Sequence, residues 1–204
     1  MKSNMKTEDL FITNIEEFKK YSELIENAIK SPSDLPERVF SDGYNTFFFE
    51  EFDWAMTEEF SGVLMQLLVN EPYLLIAVLE PNPSEYYFNE FGYFNWIRIP
   101  YNELDGIYYE ALEYSPEGSI ADSILYNSQK IVWTVPSAKW AIWGDRDYGV
   151  CILGCTEDYQ IKSGESLKSW KTVEDALGSW MQLSFRDQNV PEEFKLQMIS
   201  NYKK

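Results

Sequence analysis

Apolar residues recur every three or four positions in four stretches of the chain, which is the spacing of an amphipathic helix. In the first stretch the residues near one face are Phe11, Ile15, Phe18, Ile25 and Ile29. Pro191 predicts the start of a further short helix. The predicted helices are Thr7–Ile29, Phe60–Leu68, Leu104–Leu112, Val173–Met181 and Pro191–Tyr202.

Polar residues mark where two of these helices begin. Thr57 is predicted to be an N-cap, because Glu58 and Glu59 follow it in the first turn, where negative charge suits the helix dipole. Thr172 with Asp175 resembles a capping box.

Six other stretches are predicted to be strands. Tyr73–Leu79 is a continuous apolar run, which is typical of a strand buried on both faces. Tyr44–Trp54 is expected to be a strand with an acidic end. Pro100 is expected to end the strand Phe94–Ile99. The other predicted strands are Phe94–Ile99, Lys130–Val135, Lys139–Trp143 and Tyr148–Leu153. Together the patterns predict an α+β fold in which helices pack on a central, mostly antiparallel sheet.

Length and composition fit one domain that spans residues 1–204. The chain is 45% hydrophobic and 17% aromatic, which excludes a disordered acidic chain. The N-terminus has no apolar segment typical of a signal peptide, and the longest apolar run is too short to span a bilayer. We therefore expect a soluble, cytoplasmic protein that does not bind membranes.

The chain has two cysteines and no histidine. On a strand, the spacing of Cys151 and Cys155 would put both side chains on one face, about 13 Å apart, so they should be reduced thiols. The lack of histidine excludes Ser-His-Asp and Cys-His catalysis and histidine-ligated metals. Carboxylate chemistry, a Mg²⁺ site and a lysine nucleophile stay open, but no motif selects a catalytic residue, a metal ligand or a cofactor.

Negative charge is concentrated in the middle of the chain. The net charge of the whole protein is −17. Between Val39 and Gln129 the one base, Arg98, stands against sixteen acids, so this stretch alone carries −15. A field of one sign steers a partner of the opposite sign and repels nucleic acid. We expect a basic protein partner and no binding of nucleic acid.

Aromatic residues alternate with the acids of this middle stretch. Exposed tyrosine and tryptophan beside carboxylates are good anchors for a basic protein surface. The candidate partner-binding residues are Glu50, Glu51, Asp53, Trp54, Glu85, Tyr86, Glu90, Glu103, Asp105, Glu110 and Glu113.

The segment Trp140–Gly154 is the most distinctive in the chain. Its pattern predicts a β-hairpin in which Gly144 gives turn freedom and Arg146 sits on the turn between Asp145 and Asp147. The segment resembles hairpins of small cytosolic immunity proteins, which protect bacteria from their own polymorphic or contact-dependent toxins. The resemblance implies a non-enzymatic inhibitor that binds a cognate toxin domain, often a basic nuclease. Trp143 and Tyr148 could be either core or contact residues.

Four other functions stay open at this point. A carboxylate enzyme such as a glycoside hydrolase would use two acids from Glu50, Glu51, Asp53, Glu58 and Glu59. A cation site would use Asp145, Asp147 and Glu157, although their spacing is not that of a calcium loop. A DNA mimic would need regularly spaced exposed acids. The fourth is an acidic regulatory or scaffold domain.

Overall fold

Six antiparallel strands form one sheet in a computed structural model, which describes residues 6–30, 32–116, 119–159 and 167–203. The strands are β1 (Tyr44–Glu51), β2 (Tyr73–Glu80), β3 (Trp96–Pro100), β4 (Lys130–Thr134), β5 (Trp140–Asp145) and β6 (Val150–Thr156). Their order across the sheet is β1-β6-β5-β4-β2-β3, and every neighbouring pair is antiparallel. The predicted α+β class with a central antiparallel sheet is confirmed.

Eight α-helices accompany the sheet within the described residues. They are α1 (Ile15–Ala28), α2 (Phe52–Ala55), α3 (Phe60–Leu67), α4 (Asn89–Phe91), α5 (Leu104–Glu113), α6 (Ile124–Asn127), α7 (Val173–Leu177) and α8 (Glu192–Tyr202). A π-helical turn, Pro83–Phe88, leads from β2 into α4. It begins at Asn82, whose side-chain oxygen accepts the backbone N–H groups of Ser84 and Glu85 at 2.9 and 3.1 Å.

Helices pack on both faces of the sheet, and β2 shows this arrangement most clearly. One core includes Leu74, Ile76 and Val78, and the other includes Leu75 and Ala77. Helices α2, α3, α5 and α6 cover the first face, and α1, α7 and α8 cover the second. The prediction that Tyr73–Leu79 is a strand buried on both faces is confirmed, because Leu74–Val78 are all buried.

The first helix is shorter than predicted. Helix α1 begins at Ile15 because the side-chain oxygen of Asn14 accepts the N–H groups of Glu16 and Glu17, which makes Asn14 its N-cap. Thr7–Leu10 forms a separate 3-10 turn. Phe11 and Ile12 are extended and lie along the free edge of β3, where the N–H of Ile12 donates to the carbonyl of Trp96 at 2.9 Å.

The two predicted capping residues have different outcomes. The Thr57 hydroxyl donates to the carbonyl of Trp54 at 2.8 Å, and α3 begins three residues later without a side-chain cap, so the predicted N-cap is wrong. Thr172 does cap α7, since its hydroxyl oxygen accepts the N–H of Asp175 at 3.2 Å.

The hairpin of β5 and β6 is confirmed, but its turn lies later than predicted. Asp145 ends β5, and its carboxylate accepts the N–H groups of Asp147 and Tyr148 at 3.1 and 3.3 Å. Gly149, with φ of 62°, completes the turn. Gly144 is inside the strand, where an added Cβ would stand 2.9 Å from the side chains of Ile131 and Trp133. Its role is therefore close packing and not turn freedom.

Both cysteines are free thiols buried on one face of β6, as the sequence predicts. Burial raises the pKa of the Cys151 thiol well above its ordinary value and that of Cys155 to about 12. These thiols pack as small apolar side chains and do not act as nucleophiles.

Candidate functional site

Part of the acidic middle of the chain folds into the helical layer over one face of the sheet. Helices α2, α3, α5 and α6 contain no lysine or arginine. On the opposite face, α1 carries Lys19 and Lys20 and α8 carries Lys195. We call the first set of helices, with the residues that lead into α3, the acidic layer. Exposed acids on it are Asp53, Glu58, Glu59, Asp105, Glu110 and Glu113.

Acids from two parts of the chain meet around Tyr109 in the acidic layer. Desolvation raises the pKa of the Tyr109 hydroxyl, and the carboxylates of Glu113 and Glu58 add to this rise. The Tyr126 hydroxyl of α6 also lies within electrostatic range of Tyr109. The structure therefore brings Glu58, from the start of α3, next to the outer face of α5.

Asp122 organises the neighbouring part of the surface. Its carboxylate accepts the hydroxyl of Tyr86 at 2.8 Å, the amide of Asn127 at 2.7 Å and the hydroxyl of Ser119. Its backbone carbonyl accepts the hydroxyl of Tyr87. The bond to Asp122 is the main reason that the pKa of Tyr86 is raised. These bonds hold the segment before α6 against the π-helical turn.

Several of the predicted partner-binding residues lie on α2, α4, α5 and the π-helical turn. Asp105, Glu110 and Glu113 are exposed on α5, and Glu85, Tyr86 and Glu90 are exposed on the π-helical turn and α4. Asp53 is exposed on α2, close enough to Arg146 to affect the pKa of that guanidinium. Trp54 is half-buried, and its ring meets that of Phe60 edge-on at 6.5 Å between centroids.

Three predicted contact residues are placed differently. Glu50 is 4% exposed and faces the core beside Cys151, so it cannot touch a partner across an open surface. Glu51 is exposed, but it pairs with Val150 and points to the other face of the sheet, because strand side chains alternate. Glu103 is half-buried and accepts a 2.8 Å hydrogen bond from the Asn102 amide.

The same alternation excludes one pair of the five acids that a carboxylate enzyme could use. Glu50 and Glu51 point to opposite faces, so they cannot flank one substrate bond. One carboxylate oxygen of Glu50 accepts the N–H of Glu51 at 3.0 Å.

The residues of the proposed cation site are kept apart. Asp145 and Val150 pair at one end of the β5–β6 hairpin, whereas Glu157 follows the other end of β6, roughly 20 Å away for seven strand residues. Among the residues that the structure describes, no group of three or more acids and cysteines is arranged to hold a metal ion.

The sequence leaves the role of Trp143 and Tyr148 open, and both pack into or against the core of the second face. Trp143 is 2% exposed and lies in the core of the second face. The Tyr148 ring is half-buried against Phe194 and Phe185, at 5.2 and 5.7 Å between centroids. Arg146 is also engaged, since its guanidinium donates to the carbonyls of Ser128 and Leu125 at 2.7 Å. The hairpin is therefore a structural element whose Trp143, Arg146 and Tyr148 side chains are engaged within the domain.

Asp145 is expected to give the domain a distinctive pH dependence. Burial raises the pKa of its carboxyl from 3.8 to about 6, against the opposing effects of the turn N–H groups and Lys130. Since the folded state binds this proton more tightly than the unfolded state, the carboxyl reduces stability as pH rises from about 4 to 6. Asp145→Asn keeps an oxygen for the turn and removes the charge.

The measurement is urea unfolding of both proteins across this pH range. The free energy of unfolding of Asp145→Asn minus that of wild type should rise with pH, by up to about 3 kcal/mol. A difference that stays constant with pH would show that Asp145 titrates alike in both states.

Sequence reasoning missed four residues of this surface: Tyr109, Ile120, Asp122 and Tyr126. Tyr109 and Glu113 are four positions apart on one helix, which is a signal the sequence carries. The residues from Ile120 to Tyr126 have no periodic pattern that marks them as exposed.

Comparison with known proteins finds no matching family model, no similar curated protein and no solved structure with a matching fold. Among the described residues, each helix is too short or too polar to cross a membrane.

Proposed function

We propose that this protein is a non-enzymatic inhibitor, an immunity protein that neutralises a cognate basic toxin domain through its acidic layer. The observation that carries the proposal is the placement of the bases: the helices over one face of the sheet carry exposed acids and no base, while α1 and α8 over the other face carry both signs. The resemblance of the β5–β6 hairpin to immunity proteins adds support.

A toxin that acts on nucleic acid needs a basic surface to hold its substrate. A layer of acids interleaved with tyrosines matches such a surface in charge and offers aromatic contacts that persist after water is excluded. Long-range attraction would speed capture of the toxin, which suits a protein that must act before the toxin does.

The test pairs this protein with the product of the neighbouring upstream reading frame. Growth should be restored when the intact neighbour and this protein are co-expressed, and the purified proteins, with the neighbour inactivated, should form a stoichiometric complex that weakens as salt is raised. A neighbour that harms the cell with or without this protein, and that forms no complex with it, would contradict the proposal.

A further inference from the structure

Exposed apolar side chains gather beside the acidic layer. Eight large apolar side chains are exposed within the described part of the chain; one of them bonds Asp122, and two others lie within four residues of Asp122 in the chain. Ile120 is 74% exposed, Tyr126 is 59% exposed and Tyr86 is 40% exposed. We call these three residues the anchor patch.

The hydrogen bonds of Asp122 hold the anchor patch in place. Tyr86 is tied directly to the Asp122 carboxylate, and Tyr126 adjoins Asn127, whose amide donates to the same carboxylate. Ile120 begins the 3-10 turn that ends at Asp122. Asp122 therefore fixes the Tyr86 side chain and the backbone segment that carries Ile120 and Tyr126, so less conformational freedom is lost on binding, which favours affinity.

Acids lie near two members of the anchor patch. Glu90, on the helix that follows the π-helical turn, lies close enough to Tyr86 to raise the pKa of its hydroxyl further. Tyr126 lies near Tyr109, whose hydroxyl is also affected by Glu113 and Glu58. A small apolar centre with a charged rim is the arrangement of an interface hot spot.

We propose that the anchor patch is the energetic centre of the partner-binding surface, and that it takes an apolar side chain which the partner presents between lysine or arginine residues. This inference rests on the proposed function and deepens it. The acids set the rate of encounter, and Ile120, Tyr126 and Tyr86 set how long the complex lasts. Because the acids around the anchor patch are negatively charged, we expect the segment that binds there to be a basic part of a protein.

The experiment uses two synthetic probes: a helical peptide of lysine and leucine, and a lysine-only peptide of equal charge. Wild type should bind the lysine–leucine peptide more tightly. The double variant Ile120→Ser/Tyr126→Ser should lose about tenfold or more in affinity for it and keep its affinity for the lysine-only peptide. Both replaced side chains are exposed, so thermal unfolding should be unchanged.

Leu183→Ser/Leu196→Ser is the matched control, because these leucines are similarly exposed, at 65% and 60%, near the second face. It should bind both peptides as wild type does. Equal affinity of wild type for the two peptides, or an Ile120→Ser/Tyr126→Ser variant that binds like wild type, would overturn the anchor patch.

A second arm separates this failure from failure of the proposed function. Glu110→Lys/Glu113→Lys should weaken binding of both peptides. If it weakens binding while the Ile120→Ser/Tyr126→Ser variant binds like wild type, the acidic layer is supported as a binding surface and the anchor-patch proposal is wrong. If it leaves the binding of both peptides unchanged, the proposed function loses its support as well.

Discussion

Replacing Trp143 with alanine should lower the free energy of unfolding by about 3–5 kcal/mol, because it empties a large site in the core of the second face. A domain of this kind has about 5–15 kcal/mol in total, so much of the protein would unfold at moderate temperature. Urea or thermal unfolding followed by circular dichroism measures the loss.

Two companion variants show whether packing is the cause. The indole N–H of Trp143 has no hydrogen-bond partner in the described part of the chain, so Trp143→Phe loses only volume and should cost about 1–2 kcal/mol. Tyr101→Ala, at a half-exposed position, should change stability little. If Trp143→Ala folds as stably as wild type but loses partner binding, Trp143 is a contact residue after all.

Charge reversal on α5 should have the largest effect on binding. Glu110→Lys/Glu113→Lys changes the charge of the acidic layer by four units, and we expect the association rate with a basic partner to fall about tenfold or more at low salt. The dependence of that rate on salt should become flatter, and the dissociation rate should change less. Lysine near the end of a helix is compatible with its dipole, so folding should be preserved.

Glu23→Lys/Glu26→Lys is the matched control for this experiment. It changes the net charge equally, at two exposed positions near the C-terminal end of α1 over the opposite face. Stopped-flow association with the inactivated neighbour protein should show a small effect for the α1 variant and a large one for the α5 variant. Equal effects would mean that net charge matters and that the acidic layer is not the contact surface.

The elements that the sequence predicts correctly are those whose pattern lies entirely within their own residues. The apolar run of β2 and the helical spacing of α5 need no knowledge of the rest of the fold. The apolar residues that recur with helical spacing on α5 are all buried: Leu104, Ile107, Tyr108, Ala111 and Leu112. The same holds for the cap at Thr172, where donor and acceptor are three residues apart.

The predictions that were wrong concern residues whose structure depends on contacts with residues far away in the sequence. Gly144 is required because Phe52, far away in sequence, approaches to 3.1 Å of its added Cβ position. Phe11 and Ile12 fit a helical pattern but satisfy the free edge of β3 instead. For the candidate site, both Glu50 and Glu51 are predicted to contact the partner, although the alternation of a strand puts them on opposite faces. The burial of Glu50 depends in addition on the packing of an edge strand.

The two thiols of β6 can be used to measure how often the sheet opens in the native protein. Cys151 is 0% exposed and Cys155 is 1% exposed, and both have raised pKa values, so a thiol-reactive dye cannot modify them while the sheet is closed. The labelling rate of the unaltered chain therefore measures how often β6 separates from its neighbours, and a bound partner that slows labelling stabilises the whole sheet.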